Sequence, residues 1–334
     1  DTLDNIEISL GLGNEVSERF ESTEPAATFE PMSDPPSIEM GELSLNDFVN
    51  DDDNPEDDNG HGTHVAGIAL GGLGLTVNFG CSGNEPFQGV APNATLIGVK
   101  ALDRDGGGYA SDIIAGIDHC ASAQLSGGRA DIINLSLGSD VLFSGICDGD
   151  PIAAAANRAV DNGVVVVASS GNEAQSNALV SPACGSKVIS VGAIYDDDFP
   201  NCDFPDLDSF TFCTNFLCTN TCTDIEPKIE DLACFSNKSR NLDVTAPGCI
   251  TYAYSSDPGG NTVGWYCGTS MASAYVAGLA ALVLEVSPDF TPQQVRQAIR
   301  EGAIDLGPTG FDPGHGYGSI DVVNTLSNLD NTSY

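Results

Sequence analysis

Basic residues are scarce in this 334-residue chain, where eleven Lys and Arg stand against 48 Asp and Glu for a formal net charge of −37. A field of that sign repels phosphate, which argues against nucleic acid and anionic membrane surfaces as partners. Three accounts of the excess stay open: carboxylates neutralised by a cation such as calcium, a medium salty enough to screen self-repulsion, or a plain acidic secreted protein. No run of about 18 apolar residues is apparent, so no membrane span is expected. There is neither an initiator Met nor a signal-peptide pattern at Asp1, which suggests a processed chain or one cut from a longer precursor. Internal repeats are absent too. The remaining composition, 41% hydrophobic and 18% charged, is that of a globular protein with room for a large core.

Cysteine, by contrast, is plentiful at eleven. No CxxC pair repeats at zinc-finger spacing, so the count points to disulfides, an oxidising compartment and an extracellular protein. The odd number leaves at least one thiol free or bonded outside the chain. Cys202, Cys213, Cys218, Cys222 and Cys234 cluster in one stretch and are expected to staple a surface insertion. The rival, a metal knuckle, lacks a His. Asn-x-Ser/Thr sequons stand at Asn93, Asn134, Asn237 and Asn331. Asn134 lies in an apolar strand pattern, unsuited to glycosylation.

Residues 1–46 have weak periodicity and predict no strand or helix; they read as an acidic N-terminal segment, cut short at its start. The acidic run 51–58 follows, a candidate calcium loop or a solvated one. Beyond it, strands and helices alternate. Strands are expected at 94–102, 131–137, 163–169 and 187–194, the middle two as unbroken apolar runs rich in β-branched residues. Helices are expected at 111–124, 151–162 and 270–285, and from the Thr291-Pro292-Gln293-Gln294 capping box to about residue 301. Such alternation builds a parallel sheet with helices on both faces. The domain is expected over 47–330, with residues 196–234 as a Cys-rich loop excursion.

Two segments carry chemistry: Asn59-Gly60-His61-Gly62-Thr63-His64-Val65-Ala66-Gly67 and Gly268-Thr269-Ser270-Met271-Ala272-Ser273-Ala274-Tyr275-Val276-Ala277-Gly278. A Ser hydroxyl attacks only when a base takes its proton, and a His can be that base near neutral pH. The first turn of the Ser270 helix offers N–H groups and a partial positive charge to a developing oxyanion. In Ala168-Ser169-Ser170-Gly171-Asn172, the Asn172 amide follows a buried strand and can donate to the same oxyanion.

These segments resemble the His, Asn and Ser motifs of the subtilisin family of serine peptidases, in that family's chain order. Asn134-Leu135-Ser136-Leu137-Gly138 and Gly106-Gly107-Gly108-Tyr109 are similar to the family's two substrate-binding edges. Gly89-Val90-Ala91-Pro92 and Val244-Thr245-Ala246-Pro247-Gly248 are further landmarks. The resemblance spans roughly residues 46 to 323. It implies a three-layer α/β/α sandwich around a mainly parallel sheet of about seven strands. It also implies peptide-bond hydrolysis through an acyl-enzyme on Ser270, with His61 as general base, Asn172 in the oxyanion hole, and Gly106, Gly107, Gly108, Tyr109, Ser136, Leu137 and Gly138 along the substrate. No catalytic cofactor is implied. The expected partners are polypeptide substrates and an N-terminal inhibitory propeptide, and the expected state is a monomer.

The family's third residue is an Asp in an Asp-Thr/Ser-Gly motif at the end of an apolar strand, and no such strand is apparent upstream of His61. Asp1, in Asp1-Thr2-Leu3-Asp4, is the nearest match, with Leu where Gly belongs; Asp34, Asp47 or no Asp at all are the alternatives. Without that carboxylate the fold would be a catalytically silent peptide-binding or structural module. A Ser270–Asp312–His315 order, as in α/β-hydrolases, is disfavoured because Ala272 replaces the Gly of the nucleophile elbow. His64, one turn beyond His61, fits a buried hydrogen-bonded residue better than a metal pair. Ala274 and Tyr275 replace a Pro-His pair common in the family.

Overall fold

The computed structural model describes residues 7–11, 46–51, 55–71, 75–79, 83–122, 129–196, 209–214, 219–255 and 262–331. In chain order the elements are β1 (Glu7–Gly11), β2 (Asn46–Asp47), α1 (His61–Leu70), β3 (Leu75–Phe79), β4 (Gly83–Phe87), β5 (Thr95–Lys100), α2 (Ala110–Cys120), β6 (Ile132–Leu135), β7 (Leu142–Phe143), α3 (Pro151–Asp161), β8 (Val165–Ser169), β9 (Leu179–Val180), β10 (Ile189–Tyr195), β11 (Ser209–Cys213), β12 (Thr221–Ile225), β13 (Val244–Ser255), β14 (Thr262–Cys267), α4 (Thr269–Val286), α5 (Pro292–Gly302) and α6 (Val322–Asn331).

Eight strands form one sheet in the order β14-β13-β10-β8-β6-β1-β5-β2. Seven pair in parallel, and β14 runs antiparallel to β13 at one edge. The sheet is therefore mixed and one strand larger than the sequence suggests. Strands β6, β8 and β10 are buried on both faces, and alternation sends their side chains to two separate cores. Ile132, Val165 and Val167 join a core with α1, α4, α5 and α6. Ile133, Leu135, Val166 and Ala168 join another with α2 and α3.

The segment 1–46, which predicts no strand, supplies β1 at the centre of the sheet, in register with β5 and β6. Its sequence, EISLG, mixes polar and apolar residues too evenly to read as a buried strand. The Cys-rich stretch is likewise more than a loop excursion. Its β11–β12 hairpin buries Phe210 against Tyr195 and sets Phe212 edge-on to Phe235 at 4.7 Å. Cys222 is bonded to Cys234, and the Tyr195 hydroxyl donates to Asp224 at 2.9 Å. Further disulfides join Cys147 to Cys184 and Cys249 to Cys267.

Helix α4 is 18 residues long and apolar enough to cross a bilayer by length and composition, although no such run was expected; 72% of it is buried. That burial marks it as the central helix of its core, and the small residues along it admit close neighbours. At Gly278 an added Cβ would come within 2.6 Å of Val90 Cβ and 3.1 Å of the Ala69 carbonyl at the end of α1. Helix starts follow local chemistry. Asp150 accepts from the Ile152 and Ala153 amides ahead of α3, and Thr291 and Gln294 form the predicted capping box of α5. Two of the eleven basic residues go to one carboxylate: fully buried Asp243 accepts from Arg296 through both oxygens at 2.9 Å and pairs with Arg300.

Candidate active site

The site lies at the C-terminal ends of the parallel strands, where open α/β sheets place their ligands. Ser136 follows β6, Asn172 follows β8, and Gly106–Gly108 lie beyond β5. His61 and Ser270 open α1 and α4, and those two helices pack against each other.

Helix α4 begins without a side-chain cap from its own neighbour, Gly268. Its cap comes from across the site. Asn172 Oδ1 accepts from the Thr269 amide at 3.0 Å and from Thr269 Oγ1 at 2.9 Å. Those two donors fix which end of the Asn172 amide faces the helix, so Nδ2, the donor end, turns away from it. Gly171 N donates to Thr269 Oγ1 at 3.2 Å, tightening the same joint. Ser270 N lies in the first turn, where amides lack a carbonyl of their own helix. Thr269 is thus a site residue that sequence reasoning quoted within the Ser270 motif without a role.

Ser136 holds the Ser270 turn from the other side. Its Oγ donates to the Ser270 carbonyl at 2.8 Å, lies 2.8 Å from Ser273 Oγ, and accepts from Asn134 Nδ2 at 2.8 Å. Ser270 Oγ in turn donates to the Ser136 carbonyl at 3.3 Å. Asn134 is fully buried and engaged in this network, as its poor fit to glycosylation requires. Gly138 is exposed at the end of this edge, and Leu137 is buried beneath it.

His61 shares a cleft with Asp57, Asp58, Asn59, Lys100, Leu102, Asp103 and Gly106, so His61 and the Gly106 edge meet there. Asn59 Nδ2 donates to the Arg104 carbonyl at 3.0 Å, tying the His61 loop to that edge. Tyr109, after the three glycines, is 79% exposed. Burial pushes the His61 imidazole down to about 4, with the Asp57 carboxylate pulling the other way.

The acidic run has structural work that its composition did not reveal. Asp57 accepts from the Gly60 and Thr63 amides at 2.7 Å each and from Thr63 Oγ1 at 2.6 Å, capping α1 under His61. Burial alone would raise the Asp57 carboxyl, but these donors and the Asn59 amide hold it below the usual carboxylate range. Asp58 pairs with the buried Lys100 at 2.6 Å. Among the described residues no group of three or more His, Cys, Asp or Glu is placed to hold a metal ion.

Asp1 and Asp34 lie outside the described residues. Asp47 does not: its carboxylate is taken by the Val49 and Asn50 amides, at 2.8 Å each, in the turn after β2. In β1 the C-terminal residue, level with Leu135 and Val99, is Gly11, and the strand's one acid, Glu7, sits at the opposite end. His64 is buried and stacks on Tyr266 at 4.4 Å. His315 lies 3.4 Å from Asp312 within a turn closed by Asp312 and Gly316, next to Gly307.

The sequence model of the Subtilase family matches residues 41–318. Serine protease AprX of Bacillus subtilis (strain 168) is 33% identical over 271 residues, covering 80% of this chain and 58% of that protein. The Thermophilic serine proteinase of Bacillus sp. (strain AK1) is 35% identical over 281 residues, covering 84% and 55%. Subtilisin of Bacillus pumilus is 33% identical over 279 residues, covering 82% and 80%. The chain spans somewhat over half the length of the first two.

Proposed function

Since the chain belongs to the subtilase family, we propose that it is a secreted serine endopeptidase that hydrolyses peptide bonds through an acyl-enzyme on Ser270. His61, neutral at working pH, takes the Ser270 proton as Oγ attacks the substrate carbonyl. Asn172 Nδ2 and the Ser270 amide stabilise the oxyanion. His61 then protonates the leaving amine, activates a water for deacylation, and is restored as the acid product departs. Asp1 supplies the carboxylate that orients and stabilises the His61 imidazolium. Substrate lies extended between the Gly106-Gly107-Gly108-Tyr109 edge and the Ser136-Leu137-Gly138 edge, pairing with both.

The seven parallel strands with helices on both faces are the central layer of a three-layer sandwich, a monomeric domain that runs to about residue 330 and draws one of its inner strands, β1, from the segment ahead of residue 47. No cofactor takes part in catalysis; a structural calcium would need ligands other than Asp57 and Asp58. Polypeptides are the substrates, an N-terminal propeptide the natural inhibitor, and neither nucleic acid nor membrane is a partner. The disulfides suit an extracellular setting.

The observation that carries this reading is the pair of hydrogen bonds from Thr269 to Asn172 Oδ1. They tie Asn172 to the residue before Ser270 and leave its donor end turned away from the helix, the orientation that an oxyanion donor would need. The test is labelling by a fluorophosphonate probe, comparing the parent with Ser270→Ala and His61→Ala. The parent is expected to label and both variants to fail. No labelling of the folded parent would leave a silent peptide-binding module instead.

A further inference from the structure

The sequon Asn237-Lys238-Ser239 is absorbed by nothing in the mechanism, and its Asn is fully buried, beyond reach of a glycan. The backbone amide and both ends of the side-chain amide of Asn237 are turned on the short loop that carries Asn172. Its backbone amide donates to the Gly171 carbonyl at 3.0 Å. Its Oδ1 accepts from the Gln175 amide at 2.9 Å. Its Nδ2 donates to the Ser170 carbonyl at 3.1 Å and to Glu173 Oε2 at 2.5 Å. The side chain thus grips residues 170, 173 and 175 and the backbone amide grips residue 171, flanking Asn172 on both sides.

The loop requires such a grip. It holds two residues in the left-handed region, Gly171 at φ 100° and Ala174 at φ 54°, and the second carries a Cβ that disfavours the conformation. The fit at Gly171 is close: an added Cβ there would lie 2.4 Å from Asn237 Nδ2. The flanking backbone continues the clamp, with Ala174 N donating to the Phe235 carbonyl and Lys238 N to the Gln175 carbonyl. An oxyanion donor misplaced by a fraction of an ångström loses most of its effect, because its hydrogen bond strengthens only at transition-state geometry.

We propose that Asn237 is a positioning residue for the oxyanion hole, fixing the loop that aims Asn172. This rests on the serine-peptidase reading. The test is a double-mutant cycle on a chromogenic peptide substrate, with kcat and KM measured for the parent, Asn237→Ala, Asn172→Ala and the double variant. Asn237→Ala is expected to lower kcat about 10- to 100-fold, short of the about 10²- to 10³-fold expected for losing the donor itself, with KM changed less than about threefold. In the Asn172→Ala background the same change is expected to cost less than about threefold, since the group it positions is gone. An unchanged kcat in folded Asn237→Ala, or an equal loss in both backgrounds, overturns the proposal. If Asn237→Ala does not fold, Asn237→Ser enters the same cycle. Failure of the enzyme reading looks different: the parent then turns over no substrate, and Asn172→Ala has nothing to lower.

Discussion

Ser136 and Ser270 are bonded to each other in both directions. The Ser136 hydroxyl donates to the Ser270 carbonyl at 2.8 Å, and the Ser270 hydroxyl donates to the Ser136 carbonyl at 3.3 Å. A strand end proposed to hold substrate and a helix start proposed to attack it are therefore one unit, so a shift in either displaces both.

Ser136→Ala should expose that coupling. It leaves Asn134 Nδ2 without its partner in a fully buried setting and removes one of the donors to the Ser270 carbonyl, which keeps the Ser273 hydroxyl. A cost of about 1–3 kcal/mol is expected, read as a lowered midpoint in thermal or urea denaturation, together with a fall in kcat.

Asn172→Ala should lower kcat by about 10²–10³ with little change in KM, because the lost bond forms mainly in the transition state. Thr269→Val, which removes one of the two donors holding Asn172 Oδ1, should fall in the same direction by about tenfold. Steady-state kinetics on one peptide substrate checks both.

The pH profile tests Asp1. Only neutral His61 can accept a proton, and it is neutral above its pKa, so the acid limb of kcat/KM tracks that value. Burial, opposed by the Asp57 carboxylate, sets it at about 4, below the ordinary 6.5. A carboxylate against the ring raises it. Asp1→Asn should therefore cut the rate by about 10⁴ and move the residual activity's acid limb down toward about 4. An unmoved limb would remove Asp1 from the site.

Arg296→Met should destabilise the fold by about 3 kcal/mol, measured by urea denaturation, because it strips Asp243 of its two-oxygen partner while leaving a buried carboxylate behind. Ser190 and Arg300, which also bond Asp243, keep the loss from going further.

Salt should stabilise this protein. With a net charge of −37, self-repulsion weakens as the screening length falls from about 10 Å at 0.1 M to about 3 Å at 1 M. The thermal midpoint should rise across that range in NaCl, and a flat response would show that the charges are already compensated within the fold.

What the sequence made legible were the elements whose pattern is carried by their own residues. Residues 163–169 announce a doubly buried strand through four consecutive valines, and Thr291 to Gln294 announce a helix start because both bonding partners lie in one turn. Hidden were features whose partners lie far along the chain. β1 alternates polar and apolar residues, and only β5 and β6 on its two sides make it central. Thr269 means little until Asn172, 97 residues earlier, is beside it. Asp57 looked like one more acid in an acidic run, and its part in starting α1 appears only when the Thr63 amide turns back on it.

The contact between Gly278 and the Ala69 carbonyl has a geometric consequence. Gly278 lies eight residues beyond Ser270, and Ala69 lies eight residues beyond His61, about 12 Å along each helix. The packed helices α1 and α4 thus come close at points equally far from the residues that open them. A single methyl added at 278 would press on Val90 and the end of α1, and a shift of either helix would be carried about 12 Å to His61 and Ser270.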